Sequence, residues 1–132
     1  MYEPTESLRG LRLLILEDDP DLREALGEMF RARGASVMSA HDLQTAREIV
    51  DDHGAPDLLL ADFDLPDGHG AEFAEDLRSL APGLRAIALT GHREPESMDR
   101  SHAAGFAAHL VKPLEPSTLV AMVHAVTADV RR

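Results

Sequence analysis

Short apolar runs recur along the chain, and each has the length of one β-strand. Four runs are clear, and a fifth, ASVMSA at residues 35–40, is weaker. Runs of four or five consecutive apolar residues are typical of strands that are covered on both faces. The predicted strands are residues 13–16, 35–40, 58–61, 86–89 and 107–111.

Apolar residues at helical spacing lie between these runs, and they predict helices. Proline suits the first helical turn, and Pro20, Pro95 and Pro116 stand where such turns should begin. Asp19, directly before Pro20, fits an N-cap. The segment 95–104 is polar and weakly patterned, and it is predicted to form one of these helices. The others include residues 22–30, 43–50, 73–80 and 119–130.

The chain is thus predicted to consist of five consecutive βα units. Right-handed crossovers between such units make the strands parallel and place helices on both faces of the sheet. The predicted fold class is α/β, a doubly wound (βα)₅ arrangement around a five-stranded parallel sheet. A length of 132 residues fits one domain with a hydrophobic core. We assign this domain to residues 11–132, after an N-terminal extension of residues 1–10.

The charge of the chain restricts its partners. Acidic residues number 24 and basic residues 13, which gives a formal net charge of −11. Such a surface repels nucleic acids and anionic membranes, so neither is expected as the main partner. The sequence has no cysteine, which excludes disulfides, thiolate metal sites and cysteine nucleophiles.

The ends of the chain and its longest apolar stretches set the expected location. No stretch approaches the ~20 apolar residues that span a bilayer. The N-terminus, MYEPTESLRG, has neither the basic start nor the apolar segment of a secretory signal. The expected location is therefore the cytoplasm. The fold patterns end near Arg132, so we expect no effector domain within this sequence.

Polar side chains end four of the five predicted strands. Glu17 and Asp18 follow the first strand, and Asp62, Thr90 and Lys112 follow the third, fourth and fifth. The carboxyl ends of parallel strands meet at one edge of the sheet, where open α/β sheets bind ligands. Each residue taken singly has a plainer explanation, such as a solvated charge or a strand-end hydroxyl. Together they predict one convergent site.

Three carboxylates among these five residues point to a metal-assisted reaction. Glu17, Asp18 and Asp62 would repel one another unless a cation lies between them. Oxygen ligands suit Mg²⁺, or alternatively Mn²⁺, and the lack of cysteine or histidine in the set disfavours zinc. A carboxylate beside such a cation can attack phosphorus and form an aspartyl phosphate. Lys112 and Thr90 would then donate to the phosphoryl oxygens.

The motifs that carry these residues resemble the receiver domain of two-component response regulators. They are LLILEDDP, LLLADFDLPDGHG, AIALTG and HLVKP, in that order, and the resemblance covers roughly residues 11 to 130. It implies a flavodoxin-like sheet with the strand order 2-1-3-4-5. It also implies a signalling domain rather than an enzyme. The only reactions expected are self-phosphorylation from phosphodonors and slow hydrolysis of the product.

The resemblance assigns a role to each acidic residue of the site. Asp62 is similar to the phosphoacceptor of the family, Asp18 to a direct Mg²⁺ ligand, and Glu17 to an acidic partner that acts through water. The backbone carbonyl of Asp64 would be another Mg²⁺ ligand, with its side chain directed outward near the phosphoryl group. Asp67 is interpreted as a turn residue.

The resemblance also implies partners and a switch. Family members receive phosphate from a histidine kinase or a histidine phosphotransfer domain. Lys112 is similar to the phosphate-binding lysine, and Thr90 is similar to the switch hydroxyl. Phosphorylation would draw Thr90 inward and change the surface formed by the fourth helix, the fifth strand and the fifth helix. A homodimer could form through the same surface.

Two positions depart from the commonest pattern of the family. Glu17 stands where aspartate is commoner, a variation that the family tolerates. His109 stands where a tyrosine or phenylalanine usually acts as the rotating switch aromatic, which puts its coupling to Thr90 in question. His109, with the segments ALTGH and GFAAHLVKP, is similar to receivers attached to hybrid sensor kinases.

Three other functions fit parts of the pattern. The DFD sequence has the D-x-D form of haloacid-dehalogenase-like phosphatases, but an acidic pair precedes it and no cap domain fits in 132 residues. Asp62, Asp64 and Asp67 nearly match a calcium loop, but Pro66 shifts the third carboxylate by one position. A binding module of the same fold that has lost phosphorylation is the third, and the five intact site residues count against it.

Overall fold

The strands and helices follow the predicted alternation. The computed structural model describes residues 7–91 and 105–128, apart from the side chain of Asp64, so the predicted helix at 95–104 lies outside the described residues. The parallel strands are β1 (Arg12–Leu16), β2 (Ser36–Ala40), β3 (Leu58–Asp62), β6 (Arg85–Thr90) and β7 (Ala108–Val111). A hairpin is formed by β4 (Asp64–Leu65) and β5 (Gly68–His69). The described helices are α1 (Pro20–Arg31), α2 (Leu43–His53), α3 (Gly70–Leu80) and α4 (Pro116–Thr127).

The strand order confirms the predicted α/β fold class. The parallel strands are arranged β2-β1-β3-β6-β7, which is the expected 2-1-3-4-5 order when the hairpin is left out. The hairpin itself was not predicted, because strands of two residues carry no periodic signal. Strands β3 and β6 extend one residue beyond the apolar runs, to Asp62 and Thr90. The backbone hydrogen bonds of the sheet therefore fix the positions of these two polar residues.

Two hydrophobic layers cover the sheet. Alternate side chains of β1 join opposite layers: Leu13 and Ile15 pack with α1 and α4, whereas Leu14 and Leu16 pack with α2 and α3. The central strand β3 is buried at all five positions. Burial on both faces explains why these strands appear as continuous apolar runs. Within residues 7–91 and 105–128, no helix combines the length and the apolar character needed to cross a bilayer.

The packed structure begins before residue 11. Leu8 is fully buried in the layer that contains α1, and its backbone N–H donates to the carbonyl of Arg33 at 2.8 Å. The boundary drawn after residue 10 therefore falls inside the packed structure. A single leucine among polar residues has no periodic signal, which is why the sequence pattern starts the domain later.

Carboxylates cap the starts of α1 and α2. Asp19 accepts hydrogen bonds from the N–H groups of Asp21 at 3.0 Å and Leu22 at 3.4 Å, as the sequence predicts. Asp42 accepts from the N–H of Thr45 at 2.8 Å. Each cap satisfies N–H groups that a helix leaves unpaired in its first turn.

Replacing Asp42 by asparagine should make the stability of the chain less dependent on pH. Hydrogen bonds from the hydroxyl and the backbone N–H of Thr45 lower the pKa of Asp42 below its ordinary value of 3.8. A lowered pKa means that the ionised cap stabilises the fold above pH 3.8, and that this contribution is lost as the pH falls through the folded-state pKa. Asparagine keeps the cap but cannot titrate.

Urea unfolding of both proteins, at neutral pH and well below pH 3.8, checks this expectation. The wild type should be more stable than Asp42→Asn at neutral pH, and the gap should close in acid. A gap of the same size at both pH values would contradict the assignment.

Candidate functional site

The polar residues predicted at strand ends lie at the carboxyl edge of the sheet. Asp62 ends β3 and Thr90 ends β6, while Glu17 and Lys112 directly follow β1 and β7. Backbone hydrogen bonds extend the sheet to the residues outside the strands. The N–H of Glu17 donates to the Ala40 carbonyl at 3.0 Å, and the N–H of Lys112 donates to the Thr90 carbonyl at 2.7 Å. The parallel register thus fixes all four positions.

Three carboxylates form one cluster at this edge. Ligand oxygens of Glu17, Asp18 and Asp62 all lie within 4.8 Å of one another. Glu17 is fully buried, Asp62 is 8% exposed, and Asp18 is exposed to solvent. Three carboxylates at this spacing repel one another when ionised. The cluster therefore favours a cation among its oxygens.

Lys112 supplies one positive charge to the cluster. Its Nζ lies 2.6 Å from Oε1 of Glu17 and 2.9 Å from Oδ2 of Asp62. The Lys112 side chain is only partly exposed, and it connects two carboxylates that are 45 positions apart in the chain. These contacts explain how Glu17 can be buried as a charged group, since a buried carboxylate needs a partner.

Burial and neighbouring charges have opposite effects on the pKa values of Glu17 and Lys112. Burial raises the pKa of Glu17 above its ordinary value, although hydrogen bonds from Lys112 and from the Asp19 N–H oppose this effect. Burial also acts to lower the pKa of Lys112, but the carboxylates of Glu17 and Asp62 outweigh it and the pKa is raised. Lys112 is therefore held as an ammonium group at neutral pH.

The side chains present fit a divalent cation. Three carboxylates and one ammonium leave a formal charge of about −2 in the cluster when all are ionised. The ligands offered are all oxygens, and the exposed Asp18 leaves one side open to water. Mg²⁺ and Mn²⁺ prefer such ligands and Mg²⁺ usually retains several waters.

Two hydrogen bonds that the sequence did not predict hold Glu17. The N–H of Asp19 donates to Oε2 of its carboxylate at 3.0 Å. Nη1 of Arg23, on the first turns of α1, donates to its backbone carbonyl at 2.9 Å. Arg23 had no distinguishing signal in the sequence, because an arginine on a helix is most often a solvated charge.

His109 lies in β7, three residues before Lys112. Its ring packs edge-on to Phe63 with ring centroids 6.3 Å apart, and Phe63 packs edge-on to Phe106 at 5.8 Å. Phe63 directly follows Asp62, so an aromatic group connects the two positions. Both ring nitrogens of His109 are buried and have no hydrogen-bond partner within the described ranges. Thr90 is also fully buried, in register with Val111 of β7.

Asp67 does not join the acidic cluster. Its carboxylate accepts hydrogen bonds from the N–H groups of Leu43 at 3.0 Å and Gln44 at 3.2 Å, in the first turn of α2. Asp67 therefore anchors the hairpin loop to α2, which the interpretation as a turn residue did not anticipate. The calcium-loop alternative loses its third carboxylate, because the cluster draws on Glu17 and Asp18 instead. The side chain of Asp64 lies outside the described structure.

Comparison with known proteins gives consistent matches. The family model for the response regulator receiver domain matches residues 13–124. An uncharacterised 14.6 kDa protein of Leptolyngbya boryana, from the sodA1 3′ region, is 32% identical over 89% of this chain and 91% of its own. The phosphate regulon transcriptional regulatory protein PhoB of Escherichia coli is 31% identical over 87% of this chain, which spans about half (51%) of the PhoB length.

A solved structure agrees with this match. The CheY-like response regulator receiver domain protein of Methanospirillum hungatei superposes with a TM-score of 0.83 at 28% sequence identity. The alignment covers 93% of this chain and 96% of that one. The likeness therefore extends over nearly the full length of both chains.

Proposed function

The chain belongs to the response regulator receiver domain family, and we propose that Asp62 is its phosphoacceptor. The family is a signalling module of two-component systems that interacts with histidine kinases or phosphotransfer proteins, and it is not a classical enzyme. One observation carries the proposal. Asp62 shares an acidic cluster with Glu17 and Asp18 while its carboxylate accepts a hydrogen bond from Lys112 at 2.9 Å.

The reaction that fits this arrangement is phosphoryl transfer to a carboxylate. A carboxylate oxygen of Asp62 forms a bond to phosphorus, while the bond between phosphorus and the donor breaks. The leaving group is the imidazole of a phosphohistidine or the acetate of acetyl phosphate, and it departs with the electron pair of the broken bond. The product is an acyl phosphate on Asp62, which water can hydrolyse slowly.

The proposed metal is Mg²⁺, with Mn²⁺ as a substitute. Asp18 and Asp62 would bind it through carboxylate oxygens, and Asp64 through its backbone carbonyl. Glu17 would act through water, which agrees with its burial against Lys112. When bound, the ion would reduce repulsion between the carboxylates and the incoming phosphoryl group.

Lys112 and Thr90 are the proposed donors to the phosphoryl oxygens. The raised pKa of Lys112 keeps its ammonium group protonated, so it can follow the negative charge from the carboxylate to the phosphoryl group. Thr90 ends the neighbouring strand β6 at the same edge, so its hydroxyl needs only a short movement to reach that group. The donors are thus held in advance by the register of the sheet.

The proposed switch runs from Thr90 and His109 to the surface of β7 and α4. Movement of Thr90 toward the phosphoryl group would change its packing against β7, the strand that carries His109, whose ring forms no hydrogen bond in the described structure. The imidazole can therefore turn without breaking one. The predicted helix at 95–104, outside the described residues, completes the proposed surface, through which a homodimer could also form. Membership of the hybrid-kinase type stays a prediction that rests on His109.

Acetyl phosphate is expected to phosphorylate the wild-type chain once, and only with Mg²⁺ or Mn²⁺ present. Intact-protein mass spectrometry should find the mass of one added phosphoryl group, and EDTA should abolish it. Beryllofluoride with Mg²⁺ should shift the amide NMR signals of Asp62, Thr90 and Lys112. It binds in the place of the phosphoryl group and needs no transfer from a phosphodonor.

The same experiment separates the proposal from its rival. A chain that binds neither beryllofluoride nor the phosphoryl group in the presence of Mg²⁺ would be a binding module that works without phosphorylation. Family membership already removes the phosphatase alternative of the haloacid dehalogenase type, since its fold and motifs differ.

A further inference from the structure

A polar cavity lies at the amino edge of the sheet, opposite the edge that carries the acidic cluster. It is formed where the chain enters β1 and where it passes from α1 to β2, at the amino ends of those strands. Its volume is about 150 Å³. The lining residues are Ser7, Arg9, Arg31, Ala32, Arg33 and Gly34.

Three of the six lining residues are arginines, and none is acidic. In the part of the chain that the structure describes, Arg9, Arg31 and Arg33 form no ion pair. Arg47 behaves differently, because it pairs with Asp76 at 3.0 Å. Although the chain has a net charge of −11, three arginines thus line one cavity without a carboxylate partner among the residues that the structure describes.

Arg33 provides the clearest single observation in favour of an anion site. Its Nε is buried and has no hydrogen-bond partner within the described ranges. A buried donor without an acceptor is unfavourable, and such groups in proteins call for a specific explanation. An anion in the cavity would provide the acceptor once the Arg33 guanidinium turns toward it.

Backbone carbonyl groups near the end of α1 explain part of this grouping of arginines without a ligand. Nη1 of Arg33 donates to the Met29 carbonyl at 3.1 Å, and Nη2 of Arg31 donates to the Val37 carbonyl at 3.1 Å. These bonds use few of the five N–H donors that each guanidinium carries. The helix end amounts to roughly −0.5 of a charge, so three arginines leave a clear positive excess.

We propose that this three-arginine cavity binds a phosphate group, as free inorganic phosphate or as the phosphate monoester of a nucleotide. Guanidinium groups present paired N–H donors that match two oxygens of one phosphate, and several of them can share its charge. The cavity is at the other edge of the sheet from Asp62, so this inference does not depend on the proposed phosphorylation.

The Nε–H signal of Arg33 in a ¹H–¹⁵N NMR spectrum tests the proposal on the wild-type chain. Titration with inorganic phosphate, and separately with AMP, should move this signal in a saturable manner. Potassium chloride at matched ionic strength should not. The two ligands distinguish the sources, since a nucleotide site should saturate at lower AMP than phosphate concentration.

Variants test the same site. Isothermal titration should find that Arg33→Gln weakens phosphate binding at least tenfold. Arg9→Gln should weaken it as well, and this exposed position carries little risk to folding. Arg47→Gln is the matched control and should bind phosphate as the wild type does.

Two results would overturn the proposal. One is a signal that follows ionic strength alone, and the other is an equal loss of binding in Arg47→Gln.

Discussion

Asp62→Asn is expected to reduce phosphoryl uptake from acetyl phosphate by on the order of 10³-fold or more, to the background of the assay. An amide oxygen is a poor nucleophile toward phosphorus, so the step that forms the acyl phosphate is lost. The substitution also removes one of three carboxylates from the cluster and should weaken Mg²⁺ binding. Intact-protein mass after a fixed incubation measures the first effect, and titration calorimetry measures the second.

The matched control is Asp67→Asn in the same loop. The Asp67 carboxylate contacts the N–H groups of Leu43 and Gln44 rather than the cluster, and asparagine retains an acceptor oxygen for one of the two. Phosphoryl uptake by this variant should equal that of the wild type. Uptake that survives in Asp62→Asn, or that is lost equally in Asp67→Asn, would assign the nucleophile to another residue.

The convergence at the sheet edge could be predicted because it depends only on topology. Once the strands alternate with helices, the residues that end β1, β3, β6 and β7 must share one edge. The positions of Asp62, Thr90 and Lys112 at this edge could therefore be predicted without knowledge of any distance. The contact of Lys112 with both Glu17 and Asp62 could not be predicted, because it depends on side-chain packing between strands that are distant in sequence.

The features that the sequence did not indicate all depend on the path of the chain. Asp67 caps α2 from 24 positions away, which no local pattern can encode. Leu8 joins the core from a polar segment, because the turn after α1 brings to it the Arg33 carbonyl that accepts its N–H. His109 was noticed as a departure from the family, but its contact with Phe63 emerged only from the packing.

Gly70→Ala is expected to destabilise the chain by about 2 kcal/mol, since a clash outweighs a gain in helix propensity. A Cβ at Gly70 would fall inside contact distance of the Asp62 backbone carbonyl oxygen and lie 3.4 Å from Cβ of Ala61. Both neighbours belong to the buried strand β3, so neither can move cheaply. Overpacking of this kind costs about 3 kcal/mol. Alanine regains about 1 kcal/mol over glycine within a helix.

Urea unfolding of Gly70→Ala beside Gly83→Ala measures the effect. Nothing lies within 4 Å of a Cβ built at Gly83, and its φ is not in the left-handed region, so that substitution should be neutral or slightly stabilising. The clash at Gly70 also pushes on the residue proposed to carry the phosphoryl group. Phosphoryl uptake should therefore fall in Gly70→Ala even under conditions where it is fully folded. Equal stability and equal uptake in the two variants would mean that α3 can move away from β3 without disturbing Asp62.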